Sequence, residues 1–255
     1  MTGRSPLSAA QQSGAIEIAR SAGCVLATLS RRAAHNRLSA AMARELIELA
    51  EEVEDDEPTR MLAITGAGTT FCAGFDPDVD PRVVESLAAV SKPTVAIING
   101  DALDEGLELA MGLDIRVAEA KARLGLTQLK YGRMPRFGGT QRLPRLIGAG
   151  EALRMLLGGT TVEGRDAMRL GLVTYLARGR RELSRVASEL TEAILARGPL
   201  ATRLLKEAVI KGYDMTLEQG IRLEEDLYAL LQTTADRAEG VRAFLERRKP
   251  LFKGV

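Results

Sequence analysis

The sequence contains few of the residues that build disulfide frameworks, zinc sites and histidine-based catalytic sites. Its 255 residues include two cysteines, Cys24 and Cys72, a single histidine, His35, and no tryptophan. Two cysteines exclude a disulfide framework or a Cys-rich zinc site, and one histidine is too few for most metal sites. His35 lies among arginines, which is typical of a surface or loop residue. We therefore expect any acid–base chemistry to be carried by carboxylates.

The sequence also has no excess of either charge and no long apolar run. Its 35 Lys and Arg residues nearly balance its 34 Asp and Glu residues, so the net charge is +1. That balance gives no general argument for nucleic acid or an anionic membrane as a partner. No apolar run approaches the roughly 20 residues that span a bilayer, and residues 1–14 lack an apolar signal core. We interpret residues 1–14 as a disordered lead and expect a cytoplasmic protein.

Strands alternate with helices in the sequence pattern as far as about residue 176. This alternation predicts parallel βαβ units with right-handed crossovers. After Gly198-Pro199 the pattern is helical throughout. We therefore predict an α/β core over residues 15–195 and a helical extension over residues 196–255. Such an extension, amphipathic and without a partner of its own, is expected to pack against a neighbouring subunit.

The rest of the chain is predicted to be organised around residues 97–116. A β-branched run ends at Asn99-Gly100, an acidic turn follows, and an apolar-faced helix carrying Glu108 begins near Gly106. A strand, a turn and a helix N-terminus leave backbone N–H groups unpaired, and these can bind an anion. Acids at the start of a helix also match its positive end. From this stretch alone, ordinary helix N-terminal charge is the simpler explanation.

A second turn that contains glycine, at residues 66–76, follows another predicted strand, and we predict that it is a loop. It does not match G-x-G-x-x-G, because Phe71 lies where the third glycine is needed, and neither turn has P-loop spacing. Two such turns could still place two backbone N–H groups side by side, which is the arrangement that stabilises an oxyanion in acyl or enolate chemistry. A partly buried Glu108 with a raised pKa would then serve as acid or base.

Six segments share their order and spacing with one known family. They are ITGAGTTFCAGFD (64–76), KPTVAIING (92–100), GLELAMGLDIRVA (106–118), GGTQRLPRLIG (138–148), AMRLGLV (167–173) and DRAEGVRAFLERRKP (236–250). On these segments the chain resembles the crotonase superfamily, the enoyl-CoA hydratase/isomerase family, over about residues 15–252. The resemblance implies a spiral of ββα units with a C-terminal helical trimerisation region. It also implies an acyl-CoA thioester substrate, no permanently bound cofactor, and a homo-oligomer that is a trimer or a dimer of trimers.

The resemblance also implies a role for each residue of the site. Glu108 aligns with the first glutamate of the hydratases, and Gln128 aligns with the second. Phe75 and Glu105 align with the two residues whose backbone N–H groups form the oxyanion hole. The residues implied to contact the substrate or coenzyme A, the last two often from a neighbouring subunit, are Ala73, Phe75, Asp76, Pro77, Asp78, Phe244 and Arg247.

The sequence departs from the family pattern at two places. Gln128 stands where the family has an acid, and an amide cannot carry a proton. Glu108 would therefore make both proton transfers in a hydration. Asp104 and Glu105 stand where the family has glycines, which permit unusual φ values and close ligand approach. A carboxylate beside a developing oxyanion would oppose it unless the side chain points away.

The function predicted from these residues is the hydration of a 2-enoyl-CoA, or the reverse dehydration, by a lyase of the kind found in fatty acid metabolism. An enoyl-CoA isomerase, or other crotonase-type enolate chemistry, is the close alternative. A catalytically weak protein kept for binding RNA or a protein partner is the alternative from another class, although the neutral charge disfavours RNA. A serine hydrolase is less favoured, because the turn before the helix holds Asp104 and Glu105 rather than a serine.

Two further groups of charged residues have competing interpretations. Asp76, Asp78 and Asp80 have metal-like spacing, but prolines interrupt them and the remaining calcium-loop pattern is absent, so we expect no metal. A second group, within and after the polar loop predicted at 127–139, could contact coenzyme A phosphates or RNA, or could simply be a solvated basic face. Its members are Arg133, Arg136, Arg142 and Arg145.

Overall fold

A computed structural model describes residues 15–255 of the chain. The predicted disordered lead, residues 1–14, lies outside the described residues. The chain divides into two compact units. One comprises the residues up to Val90 together with Thr94–Glu189, and the other comprises Ser91–Pro93 together with Leu190–Val255. The predicted boundary between residues 195 and 196 stays a prediction.

The first unit contains two β-sheets. The larger sheet has the strand order β1-β2-β3-β5-β7-β10, and the smaller has the order β4-β6-β8-β9. Only the β1–β2 and β8–β9 pairs are antiparallel among the described strands. The strands are β1 (Ala15–Ser21), β2 (Cys24–Ser30), β3 (Met61–Gly66), β4 (Thr70–Cys72), β5 (Thr94–Ile98), β6 (Asp101–Leu103), β7 (Ile115–Glu119), β8 (Arg123–Gly125), β9 (Thr161–Glu163) and β10 (Tyr175–Ala177).

The first four helices of the first unit each follow a pair of strands. In order they are α1 (Ala40–Asp55), α2 (Arg82–Ala89), α3 (Glu105–Gly112), α4 (Gly139–Ile147), α5 (Ala149–Gly158), α6 (Gly164–Leu170) and α7 (Arg180–Leu195), the last of which ends in the second unit. The series β3-β4-α2 and β5-β6-α3 repeats one arrangement, in which the first strand joins the larger sheet and the second joins the smaller sheet. The predicted α/β fold of ββα units is confirmed.

Helix α1 shows how the sequence specifies these elements. Ser39 directly precedes apolar residues that recur at helical spacing, which predicts a helix cap there, and its side chain accepts a hydrogen bond from the Met42 N–H. That apolar face is buried in the core, with Leu46 and Val53 fully covered. The alternating pattern on both sides of the Ser-Ala-Gly turn at residues 21–23 predicts a β-hairpin, and β1 and β2 form it, with Ser21 paired to Cys24.

The predictions for the loops were wrong in part. The turn at 66–76 contains β4, the acidic turn after Gly100 contains β6, and the polar loop at 127–139 contains a 3₁₀ helix, Gln128–Tyr131. Strands of three residues are too short to show the alternation that identifies a strand in sequence. Strands β4, β6 and β9 of the smaller sheet are therefore not predicted from the sequence, whereas β8 is confirmed within the strand predicted over residues 123–126.

The second unit is helical, as predicted. It contains α8 (Pro199–Gly212), α9 (Leu217–Gln232) and α10 (Ala235–Leu245), followed by an extended C-terminal tail. The tail folds back onto α10, because the buried Asp236 carboxylate accepts hydrogen bonds from the N–H groups of Lys253 and Gly254. None of the described helices is both long enough and apolar enough to cross a bilayer.

Candidate active site

Helix α3 is the centre of the candidate site, and all eight of its residues are buried. Its first turn contains Glu105 and Glu108, where acidic side chains match the positive end of the helix. The helix lies directly against β4. A Cβ atom at Gly106 would come within 2.0 Å of the Cys72 carbonyl oxygen, so only glycine fits there. The close approach of helix and strand brings the two predicted turns together.

Glu108 is held by three hydrogen bonds. Its Oε1 atom accepts from the backbone N–H groups of Phe137 and Gly139, both at 2.8 Å. Its Oε2 atom accepts from the Gln128 amide at 3.2 Å. The side chain is oriented by fixed donors on two sides, and only 1% of the residue is exposed. This geometry places the carboxylate in one defined position, as a proton carrier requires.

Burial raises the pKa of Glu108 from its usual value of 4.5 to about 6. Loss of hydration is the largest cause, and the hydrogen bonds from Gly139 and Phe137 oppose it. The nearby charge of Glu105 raises the pKa further. A carboxyl group with a pKa near 6 can both accept and return a proton near neutral pH.

Gln128 is as buried as Glu108, with 1% of the residue exposed. Its amide nitrogen donates to Glu108, which fixes the orientation of the amide plane. Its Oε1 atom is buried and has no hydrogen-bond partner among the described residues. A buried acceptor without a partner is unfavourable by about 1–3 kcal/mol. Gln128 therefore presents an acceptor suited to a water molecule or a substrate donor beside Glu108.

Asp104 precedes α3 in a backbone conformation that L-residues rarely adopt, with φ at 51° and ψ at −124°. Its side chain does not cap the helix. Instead, Oδ1 accepts from the Thr127 N–H at 2.6 Å and from the Thr127 hydroxyl at 2.9 Å. Because Thr127 directly precedes Gln128, this contact ties the start of α3 to the segment that carries the amide. The aspartate thus has a structural role that the sequence did not reveal.

The two predicted oxyanion donors also lie together. The Glu105 N–H is at the first position of α3, where a helix offers no acceptor of its own. The Phe75 N–H donates to the Oε2 atom of the Glu105 side chain at 3.3 Å, so the two predicted donors belong to residues in contact. The carboxylate does not point away: it lies at the mouth of the predicted oxyanion hole, with 7% of Glu105 exposed.

The loop that carries Phe75 is held by Arg37, which sequence reasoning did not assign to the site. The Arg37 guanidinium donates to the Ala73 carbonyl at 3.1 Å and to the Phe75 carbonyl. It also pairs with Asp76 at 3.5 Å, and Asp76 in turn pairs with Arg31. The only sequence signal for this role was the position of Arg37 two residues after His35. The arginines around His35 are also typical of an exposed loop.

An aromatic contact joins the two loops that supply backbone donors. The rings of Phe75 and Phe137 meet edge to face, with centroids 4.9 Å apart and planes at 72°. The Phe137 carbonyl accepts from Arg142 at 2.8 Å, and the Arg136 guanidinium lies over the Phe137 ring at 4.9 Å. Arg142 and Arg136, considered above as phosphate contacts or a solvated basic face, thus support the loop that orients Glu108.

A cleft of about 420 Å³ opens beside this site. Four predicted site residues line it, namely Phe75, Asp76, Pro77 and Glu105. The other lining residues are Arg37, Arg133, Met134 and Arg136. Ala73 is half-buried behind Arg37, and Asp78 is exposed. Phe244 and Arg247 belong to the second unit, where both are exposed. Among the described residues no group of acidic, His or Cys side chains is arranged to hold a metal ion.

The chain is similar to known proteins over most of its length. Two sequence models described as enoyl-CoA hydratase/isomerase match residues 24–79 and 80–255. The chain is 37% identical to (E)-benzylidenesuccinyl-CoA hydratase of Thauera aromatica over 89% of its length and 94% of the relative. It is 35% identical to 2,3-dehydroadipyl-CoA hydratase of Escherichia coli, over 93% of its length and 98% of the relative.

The fold is also similar to solved structures. A crystal structure of enoyl-CoA hydratase from Bacillus anthracis superposes with a TM-score of 0.91 at 35% identity, covering 94% of this chain and 99% of that one. The resemblance inferred from the six sequence segments is therefore confirmed, and so is the fold that it implied.

Proposed function

Because the chain belongs to the enoyl-CoA hydratase/isomerase family, we propose that its site adds water to a 2-enoyl-CoA thioester and catalyses the reverse dehydration. One observation carries this assignment of roles. The buried Glu108 carboxylate is fixed by two backbone N–H groups and by the Gln128 amide, whose Oε1 atom remains available for a water molecule. A carboxylate and an amide oxygen side by side can hold and activate water.

In the proposed reaction, Glu108 carries the proton in both directions. It takes a proton from the water as the water oxygen bonds to C3 of the substrate. The electrons of the C2–C3 double bond move toward the thioester oxygen, and the N–H groups of Phe75 and Glu105 stabilise the resulting enolate. Glu108 then returns the proton to C2 and the thioester carbonyl re-forms. Gln128 orients the water and Glu108 but transfers no proton.

Isomerisation of an enoyl-CoA is the second candidate, and the Gln128 side chain is the observation that favours it. A site with a single proton carrier suffices to remove a proton from C2 of a 3-enoyl-CoA and return it to C4. No water is required, and the same two N–H groups would stabilise the dienolate. In that reaction the Gln128 Oε1 atom would accept a hydrogen bond from the substrate or a bystander water.

The decisive experiment measures both reactions on one set of proteins. Wild type, Glu108→Gln and Gln128→Glu would be assayed for hydration of short straight-chain, benzylidenesuccinyl and 2,3-dehydroadipyl thioesters, the last two being the acyl groups of the named relatives. Isomerisation of a 3-enoyl-CoA would be assayed in parallel. Hydration that is abolished in Glu108→Gln supports the proposal. An unchanged rate in that variant excludes Glu108 as the proton carrier.

The Gln128→Glu variant separates the two candidate reactions. If the enzyme is a hydratase that works with one acid, a second acid should preserve or increase hydration. If it is an isomerase, hydration should appear only in the variant. Wild type that turns over none of these thioesters but binds them, or binds RNA, would support the alternative of a binding protein.

We further propose that the chain forms a homo-oligomer, a trimer or a dimer of trimers, through its helical C-terminal unit. Large apolar side chains on α8 and α9 are exposed, as on surfaces that bind another protein. They include Leu205, Val209, Ile210, Leu217 and Tyr228. Coenzyme A would lie along Ala73, Asp76, Pro77 and Asp78, with Phe244 and Arg247 of a neighbouring subunit completing its site. Sedimentation of the protein with and without coenzyme A tests both parts.

A further inference from the structure

The Glu105 side chain lies where a thioester oxygen would have to bind. Its Oε2 atom accepts the Phe75 N–H, which is one of the two donors assigned to the oxyanion hole in the proposed function on which this inference rests. The backbone N–H of the same residue is the other assigned donor. Glu105 therefore supplies one half of the hole with its backbone and obstructs the other half with its carboxylate.

The surroundings of this carboxylate explain why it lies there. It is at the N-terminal end of α3, where the helix dipole favours negative charge. Its other oxygen, Oε1, lies 3.6 Å from the Arg133 guanidinium on the cleft wall, a loose ion pair that becomes closer when the carboxylate moves toward the cleft. Gly74 makes room for it, because a Cβ atom at that position would be 2.9 Å from Oε2 and equally close to Arg37. A pocket made to stabilise an oxyanion thus holds an anion of its own.

We infer that Glu105 is a specificity-determining residue whose carboxylate competes with the substrate carbonyl for the Phe75 N–H. Binding of the thioester displaces the carboxylate toward Arg133. A neutral thioester oxygen accepts hydrogen bonds less strongly than a carboxylate does. Thioesters that make few other contacts therefore bind weakly, and the site selects acyl groups whose remaining contacts can drive the displacement.

The observed distances make this displacement feasible. The bond from Phe75 to Glu105 is 3.3 Å long, which is longer than the usual 2.9–3.0 Å for an N–H donor, so a better-placed acceptor can replace it. Arg133 lies on the wall of the open cleft with 55% of its side chain exposed, and it has room to follow the carboxylate outward. The competition acts before the chemical step, so it should raise KM and leave kcat nearly unchanged.

The test compares Glu105→Ala with wild type in both turnover and binding. We expect kcat/KM for a short enoyl-CoA to rise roughly ten- to a hundredfold in Glu105→Ala, the range expected when a hydrogen bond to a charged group no longer opposes binding. The gain should appear in KM rather than in kcat. A saturated acyl-CoA, which cannot react, should bind to Glu105→Ala more tightly than to wild type by a similar factor. Weaker binding of the saturated thioester by folded Glu105→Ala would overturn the inference.

Arg133 provides the second half of the test. Arg133→Ala should raise KM severalfold in the wild-type background, because the displaced carboxylate loses its partner, and should have no such effect when Glu105 is already alanine. Arg136→Ala is the matched control, since Arg136 lines the same cleft but contacts Pro77 and Phe137 rather than Glu105. Its effect should be the same in both backgrounds. Equal effects of Arg133→Ala in both backgrounds would refute the role given to Arg133.

The outcomes also separate this inference from the proposed function. Should Glu105→Ala fail to fold, Glu105→Gln keeps the side-chain length and removes the charge, and a smaller gain of the same sign is expected. Wild type that turns over no enoyl thioester would refute the proposed reaction. The affinity of the saturated thioester for wild type and for the Glu105 variant would still decide whether the carboxylate competes for the Phe75 N–H.

Discussion

Helices α3 and α9 follow opposite rules. Helix α9 is 16 residues long, buries none of them, and begins with a complete capping box formed by Thr216 and Gln219. Helix α3 is eight residues long, buries all of them, and begins at Asp104 with a positive φ and no side-chain cap. Helix α9 satisfies local sequence preferences and could be predicted from the sequence. Helix α3 violates those preferences, and it carries Glu105 and Glu108 of the candidate site.

The difference indicates that local stability is lower at the start of α3, where the residues of the candidate site lie. A positive φ at a residue other than glycine, such as Asp104, is unfavourable by roughly 1–3 kcal/mol, and such strain concentrates at functional sites. A carboxylate with 1% exposure, as at Glu108, is unfavourable as well unless hydrogen bonds compensate. Both departures lie within five residues of one helix, whereas α9 has neither. Four predictions test whether this contrast has the functional meaning given to it.

The largest expected effect is the loss of turnover in Glu108→Gln. Removing the proposed proton carrier should lower kcat by roughly 10²–10⁴-fold, the usual contribution of a general acid or base. Glutamine has nearly the same shape, and its carbonyl can still accept from Phe137 and Gly139, so the fold should be retained. The matched control is Glu225→Gln on α9, an exposed position, where steady-state kinetics should be unchanged. Comparable losses in both variants would remove the distinction between the two helices.

The second effect concerns stability as a function of pH. The pKa of Glu108 is raised to about 6 in the folded protein from 4.5, so between these values the folded state binds more protons than the unfolded state does. The stability associated with this group is therefore present below about pH 4.5 and is lost as the pH rises through 6. Relative to Glu108→Gln, wild type should lose about 2 kcal/mol of unfolding free energy between pH 4.5 and pH 7.5.

Urea denaturation at a series of pH values measures this difference, with Glu225→Gln again as the control. An unfolding free energy of wild type that rises with pH relative to Glu108→Gln would contradict the predicted sign. A difference that does not depend on pH would show that Glu108 titrates as it does in the unfolded chain. The same group should make kcat/KM fall below about pH 6 if its ionised form receives the proton of water.

The third effect concerns the contact between Asp104 and Thr127. Thr127→Val removes the hydroxyl donor but keeps the backbone N–H, so Gln128 should be oriented less well and kcat should fall by about tenfold, equivalent to about 1.4 kcal/mol. A folding loss of about 1 kcal/mol is expected for the lost hydrogen bond. Thr127→Ser should restore both quantities.

Thr216→Val is the comparable change on α9. It removes a capping hydroxyl and should also lower stability by about 1 kcal/mol, but it should leave kcat unaffected. Because both threonine changes remove one hydroxyl hydrogen bond, stability alone does not distinguish them. A fall in kcat for Thr216→Val as large as that for Thr127→Val would show that the kinetic effect follows from general destabilisation.

The sequence was sufficient for the parts of the molecule that follow local rules. The Ser39 cap, the periodic face of α1 and the helices after residue 198 could be predicted because propensity and packing agree there. The site was predicted by resemblance to the level of individual residues, and the structure brings Phe75, Glu105, Glu108 and Gln128 together. Their roles remain those proposed above.

What could not be predicted depends on contacts between distant segments. The direction of the Glu105 side chain is set by Phe75 and Arg133, which lie 30 and 28 residues away in the sequence. The positive φ of Asp104 is signalled only by the glycine that the family has at that position, and its partner Thr127 is supplied by a different ββα unit. Strands β4, β6 and β9 could not be predicted, because three residues are too few to show the alternation of a strand. In each case the missing information was a tertiary contact.

The smallest effect on the chemistry is expected on α9 itself, where the exposed Leu217 and Tyr228 have 81% and 62% of their surface accessible. Replacing both by serine should change the unfolding free energy of an isolated chain by no more than about 0.5 kcal/mol per residue, because neither is buried. If α9 binds another copy of the chain, the same change should shift the sedimentation coefficient toward the monomer at micromolar concentration. Serine at the exposed Arg222 and Glu218, which pair with each other, should leave the sedimentation coefficient unchanged. Retention of the oligomer in the Leu217 and Tyr228 variant would mean that the apolar residues of α9 lie outside the subunit contact, and that this helix is exposed for a reason other than assembly.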